Sequence, residues 1–179
     1  MKSTMIDIET LDIGLNAVVL SVGLCKFDSK DYSVEPYDLL YMRLDIAEQQ
    51  TLGRTISDDT LEWWSKQPDK IKNDAFSEDN RESIDSFLVK LYKYCKGSKL
   101  TWANSPAFDL TILESLYKQK GKKEPWNYWD CRDVRTIKDF FDYDEKKLFS
   151  KNNHNALDDA VNQANLIRMA MKKIANVPI

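Results

Sequence analysis

The chain has 179 residues, 42% of them hydrophobic and 31% charged, which gives room for one good core and the expectation of a single domain over 1–179. A net charge of −3 argues against a long basic footprint on nucleic acid. No run of about 18 apolar residues exists, so no membrane span and no membrane partner are expected.

The start, Met1-Lys2-Ser3-Thr4-Met5-Ile6-Asp7, lacks the long apolar stretch of a signal peptide, and a cytoplasmic location is expected. Cys25, Cys95 and Cys131 are odd in number and form no C-x-x-C pair, so they read as reduced thiols, mostly in the core.

In chain order, residues 3–9 read as a short strand entering an acidic turn. Residues 17–27 form a Val- and Leu-rich strand with Gly23 breaking the run, and 37–44 a third strand before a polar stretch. Such short spacings suit an antiparallel meander. Ser57 or Asp58 caps a helix carrying Leu61, Trp63 and Trp64, and a charged segment follows Pro68. A helix is predicted over about 81–95, where Ile84, Phe87, Leu88, Leu91 and Tyr92 make an apolar stripe. Residues 99–103 read as a buried strand, and Pro106 as the opening of a helix with Phe108, Ile112, Leu113 and Leu116 that stops at Gly121. After an aromatic connector at 126–129, residues 133–141 are expected to be helical, 142–153 a polar loop, and about 156–173 a last helix. Strands followed by helices with at least one further strand describe an α/β fold, a mixed sheet with helices packed on it.

Three acidic islands stand out: Asp7-Ile8-Glu9-Thr10, Phe108-Asp109, and His154-Asn155-Ala156-Leu157-Asp158-Asp159, which holds the one histidine of the chain. Each has a bland reading alone. A D-x-E pair can be a solvated strand end, an acid at a helix start is favoured by the helix dipole, and a lone histidine in a polar loop is commonly plain surface. Yet Asp7 and Glu9 sit two apart on a strand and so share a face, with Met5, Ile6 and Ile8 around them marking a central strand. Carboxylates on a buried face require cations or donors. Of the two adjacent acids near the end, Asp159 shares a helix side with Ala156, Gln163, Leu166 and Ala170, whereas Asp158 lies with Asn162, Asn165 and Lys172. Asp159 is therefore the better ligand, with Asn155 and Asp158 the capping pair. Four carboxylates and an imidazole, once gathered by folding, suit a two-metal phosphodiesterase with cations about 4 Å apart.

The order Asp7-x-Glu9-Thr10, Phe108-Asp109, His154-x-x-x-x-Asp159 resembles the three-motif pattern of the DEDDh exonucleases, which share the ribonuclease-H-like fold with helices on both faces of a mixed sheet. The resemblance runs from Met5 to about Met171. Thr60-Leu61-Glu62-Trp63-Trp64 and Arg132-Asp133-Val134-Arg135-Thr136 further resemble segments of phage exodeoxyribonuclease A and a related group of bacterial exoribonucleases. Ser105 stands where proofreading-type members carry Asn, and Leu11-Asp12 follows Thr10 where a glycine is frequent.

The resemblance implies a 3′-5′ exonuclease that binds single-stranded 3′ ends and releases nucleoside 5′-monophosphates, from DNA in the first reading and from RNA or short oligoribonucleotides in the alternative. It implies two Mg²⁺ or Mn²⁺ ions per site, with Asp7 bridging both, Glu9 and Asp159 on one, Asp109 helping to place the other, and His154 deprotonating the attacking water. Thr10 is expected at the terminal sugar, with Leu11 and Phe108 sandwiching the terminal base. Of Trp63 and Trp64, about 100° apart on a helix, one is expected in the core and the other within reach of substrate. Asp133 and Arg135 read as a structural ion pair, and Lys146, Lys147 and Lys151 as a solvated loop or a cover over the strand. A homodimer is a further implication of the resemblance.

Overall fold

The computed structural model describes residues 1–141 and 154–175. Strands β1 (Lys2–Thr10), β2 (Val19–Asp28) and β3 (Tyr37–Leu44) form the expected antiparallel meander. β4 (Arg81–Glu82) adds parallel to β3, β5 (Leu100–Ala103) parallel to β1, and β6 (Cys131–Asp133) parallel to β5. The resulting mixed sheet has the order β4-β3-β2-β1-β5-β6. The helices are α1 (Ile46–Thr51), α2 (Asp58–Ser65), α3 (Asp69–Ala75), α4 (Ile84–Cys95), α5 (Asp109–Gln119), α6 (Val134–Phe141) and α7 (Ala156–Ala175).

Alternation along β1 divides the core into two layers. Ile6 and Ile8, with Val22 and Leu24, pack under Phe87, Leu88 and Leu91 of α4 and Ile112, Leu113 and Leu116 of α5. Met5, with Cys25 and Phe27, packs on the opposite face against Trp102, Val134 and Ala160, Ala164 and Ile167 of α7. A third cluster joins Leu11, Val18 and Leu20 to Trp64 of α2 and Ile71 and Ala75 of α3. Helices on both faces agree with the fold class expected from sequence. Cys25, Cys95 and Cys131 are free thiols, the first two buried. No helix among the described residues is long and apolar enough to cross a membrane.

Several expectations are corrected. The strand expected over 17–27 forms as β2 from Val19 to Asp28, and Gly23 lies within it in register with Asp7 of β1. The helix expected from 81 starts at Ile84 behind a Ser83 cap, because Arg81 and Glu82 are drawn into the sheet. Arg81 donates from Nη1 to the Leu44 carbonyl and from Nη2 to that of Ala75, contacts no periodicity argument contains. The segment after Pro68 is helical as α3, and the polar stretch after 44 holds α1, capped by the Asp45 carboxylate accepting from Glu48 N–H. α5 starts at Asp109, three residues after Pro106; the helix expected over 133–141 forms as α6 one residue later, and the unforeseen β6 precedes it. The expected loop at 142–153 lies outside the described residues.

Candidate active site

β1 carries Asp7 and Glu9 on the same face as Met5, the face that α7 covers. α7 can approach because Gly23 lies beside Asp7 on β2: a β-carbon there would stand 2.1 Å from the Ala156 carbonyl. Farther along α7, the Gln163 amide donates from Nε2 to Asp7 Oδ1 at 2.7 Å.

Asp109 arrives from the other side of β1. β5 runs parallel to β1, and the turn after it starts α5 with Asp109 as its first residue, 3% exposed. Ile8 N–H donates to Asp109 Oδ1 at 3.2 Å, which ties α5 to β1 between the two acids already there. Asp109 Oδ2 and Gln163 Oε1 are buried and find no hydrogen-bond partner among the described residues.

The third island folds around the N-terminus of α7. Asn155 Oδ1 accepts from Leu157 N–H and Asp158 N–H at 3.1 Å each, so Asn155 is the cap and Asp158 takes part through its backbone. Asn155 Nδ2 also donates to Asp74 Oδ2 of α3 at 2.8 Å. His154 has a left-handed backbone (φ 74°), and its N–H donates to Asp159 Oδ2 at 2.8 Å. Glu9, His154 and Asp159 each bring one ligand-type atom within 4.8 Å of the others.

Burial raises the Asp7 carboxyl well above its ordinary range, and the charges of Asp109, Glu9 and Asp159 raise it further, with Gln163 pulling the other way. Glu9 is pushed up to about 8, first by burial and then by Asp159 and Asp109. Asp109 is pushed up to about 7 by burial, against the opposing effects of the Ile8 N–H and the Arg135 charge. Burial lowers the His154 imidazole. Burial and mutual repulsion make acids this crowded hold protons, and a divalent cation would neutralise them better. The carboxylate oxygens suit Mg²⁺ or Mn²⁺, and the orphaned Asp109 Oδ2 is a ligand atom in want of a partner. The residues fit a divalent metal centre.

The residues expected at the substrate are placed unevenly. Leu11 is 3% exposed and built into the third cluster, so in this conformation its side chain is a core group and not a free wall for a base. Thr10 is buried, its hydroxyl donating to the Asp12 carbonyl at 2.7 Å. Phe108 is half-buried at the start of α5 against the first core layer. Trp64 is the core member of its pair, with Nε1 donating to the Thr10 carbonyl at 2.9 Å, and Trp63 is 40% exposed. The Trp63 ring meets the His154 ring edge to face, centroids 4.8 Å apart. Asp133 Oδ1 accepts from the backbone N–H of Arg135 at 2.9 Å, so the acid caps the start of α6. Lys146, Lys147 and Lys151 lie outside the described residues.

Sequence reasoning missed Gly23 as a clearance, Gln163 as the amide on Asp7, and Asp74 as the anchor of Asn155. A signal existed only for Gln163, a polar residue on the packed side of the last helix.

The sheet order and its two helical layers are those of the ribonuclease-H-like fold found in solved DEDDh-family structures. Residues 2–171 match the 3′-5′ exoribonuclease Rv2179c-like domain, and the chain belongs to that family. It is 29% identical over 161 residues to the exodeoxyribonuclease of Enterobacteria phage T4, covering 76% of this chain and 70% of the relative. Its fold matches the nuclease domain of 3′hExo, a DEDDh family member bound to rAMP, with a TM-score of 0.68 at 15% identity, over 99% of this chain and 95% of that one. Exonuclease X in complex with 5′-overhanging duplex DNA matches with a TM-score of 0.60 at 16% identity, over 98% and 94% of the two chains. The protein is a 3′-5′ exonuclease, of a family that generally uses divalent metal ions.

Proposed function

We propose that the chain is a single exonuclease domain that removes nucleotides from single-stranded DNA 3′ ends by two-metal-ion hydrolysis. The convergence of Asp7, Glu9, Asp109 and Asp159 beside His154, with an unpartnered Asp109 oxygen among them, carries this reading. The four carboxylates would hold two Mg²⁺ or Mn²⁺ ions. When bound, these supply charge stabilisation for the phosphoryl oxygens and the leaving 3′-oxygen.

The chain's own groups do the rest. Gln163 orients the Asp7 carboxylate through its amide, and the Ile8 N–H fixes one Asp109 oxygen and leaves the other for a ligand. His154, with its affinity for protons lowered by burial, is neutral at neutral pH and accepts the proton of the attacking water. The O–P bond from water forms as the P–O3′ bond breaks, giving a nucleoside 5′-monophosphate and a strand shorter by one nucleotide. Half-buried Phe108 is available to stack on the terminal base, and Thr10 ends the strand that carries Asp7 and Glu9.

Two findings divide on the sugar. The phage relative is named an exodeoxyribonuclease and the family an exoribonuclease, so trimming of RNA 3′ ends is the second reading. Digestion of 5′-labelled single-stranded DNA and matched RNA with Mg²⁺, Mn²⁺ or EDTA tests both. A metal-dependent ladder shortening from a free 3′ end, and absent with a blocked one, is the expected result. The faster strand names the substrate, and no ladder from either strand overturns the proposal.

A further inference from the structure

We infer that Trp63 is the positioning residue of the histidine: its ring is the wall that holds the His154 imidazole against Glu9 and Asp159. The inference rests on the reading of His154 as the base that accepts the proton from water.

His154 stands at a turn with a left-handed backbone, a conformation that a non-glycine residue keeps only where its surroundings over-determine it. Two contacts fix the main chain there: His154 N–H to Asp159 and the Asn155 side chain to Asp74. Neither acts on the imidazole, whose two side-chain torsions remain to be set. The ring contact that sets them comes from Trp63, with centroids 4.8 Å apart and planes at 89°, the edge-to-face geometry that aromatic pairs prefer.

Trp63 is itself held. It meets Trp64 edge to face at 5.1 Å, Trp64 meets Phe76 at 5.5 Å, and Trp64 Nε1 is bonded to the carbonyl of Thr10, the residue after Glu9. The imidazole is thus referenced through two indole rings to the strand end that carries Glu9. This gives the Thr60-Leu61-Glu62-Trp63-Trp64 segment a division of labour: Trp64 anchors α2, and Trp63 faces the histidine. An exposure of 40% fits a ring whose outer edge is open and whose inner edge is engaged.

Trp63→Ala and Trp63→Phe are to be made in the wild-type and in the His154→Ala chain, and single-turnover cleavage and KM measured with Mn²⁺ on single-stranded DNA and on RNA. Melting curves check that each variant folds. Trp63→Ala is expected to lower kcat about 10- to 100-fold with KM changed by less than about twofold, because a misplaced base costs rate and not binding. Trp63→Phe, which keeps a ring edge, should recover most of the loss. In the His154→Ala background Trp63→Ala should cost nothing further, the non-additivity that marks action through a shared partner. A raised KM with kcat kept would make Trp63 a substrate contact and overturn the inference, as would equal losses in both backgrounds. Wild-type rates in His154→Ala alone would instead overturn the reading of His154 beneath it.

Discussion

Gly23 of β2 and Ala156 of α7 touch backbone to backbone: a β-carbon at 23 would lie 2.1 Å from the Ala156 carbonyl carbon and oxygen and 2.2 Å from Leu157 N. These are backbone atoms, which cannot swing aside as a side-chain tip can. The contact places the first turn of α7 over the sheet beside Asp7 and so fixes how far Asp159 and His154 stand from β1. Gly23→Ala is expected to push this turn outward, costing about 3 kcal/mol or more in urea unfolding. Activity should fall further than stability, since the displaced turn carries two of the five polar groups of the site. A variant with unchanged stability and rate would show that the approach is not required.

The clearance at Gly23 shows where sequence reading stops. Alternation along β1 placed Asp7 and Glu9 on one face, and helical periodicity separated Asp159 from Asp158, because both follow from local geometry. Short polar elements such as α1, α3 and β4 leave no such periodicity. α1 and β4 are held because Gln49 reaches Val19 of β2 and Arg81 reaches Leu20 and Leu44, all thirty or more residues away in the chain. In the same way the pairing of Trp63 and Trp64 allowed one core ring and one outer ring. Which was which depended on the Thr10 carbonyl, 54 residues away from Trp64.

Trp64 is 2% exposed and fills the third cluster while bonded to Thr10. Trp64→Ala is expected to cost about 3–5 kcal/mol by leaving a cavity. Trp64→Phe should cost less, with about 1 kcal/mol of its loss coming from the unpaired Thr10 carbonyl. Both are read from denaturant midpoints with EDTA present, which keeps metal binding out of the comparison. Equal costs for the two variants would contradict the packing described.

Asp7 is buried among three other carboxylates, so its charge is a burden on the metal-free fold. Asp7→Asn keeps an oxygen to accept from Gln163 and removes that charge. It should raise stability in EDTA by about 1–2 kcal/mol while abolishing metal-dependent cleavage, the trade expected where a site is built against stability. His154→Ala should behave differently: kcat falls about 10²–10⁴-fold, and the stabilisation by Mn²⁺ remains. Loss of that stabilisation would make the imidazole a ligand, a role its position within 4.8 Å of Glu9 and Asp159 also permits.

The raised carboxyls also set a pH dependence with a definite sign. Burial pushes Glu9 up to about 8 and Asp109 up to about 7, well above the range an exposed carboxyl has in the unfolded chain. Between the unfolded and the folded values the native state binds more protons than the unfolded chain, so its stability falls with rising pH. In EDTA the melting temperature is therefore expected to decline from about pH 4 to about pH 8 and to level off above. Mn²⁺ or Mg²⁺ replaces those protons and should oppose the decline, most strongly at the alkaline end. At a hundredfold excess over Kd the gain is about 2.7 kcal/mol, which for a chain of this size is a rise of roughly 5–10 °C. Thermal melts at pH 5 and pH 8 with and without metal measure both effects. A metal-induced rise that is no larger at pH 8 than at pH 5 would mean that the cations do not bind where these carboxylates meet.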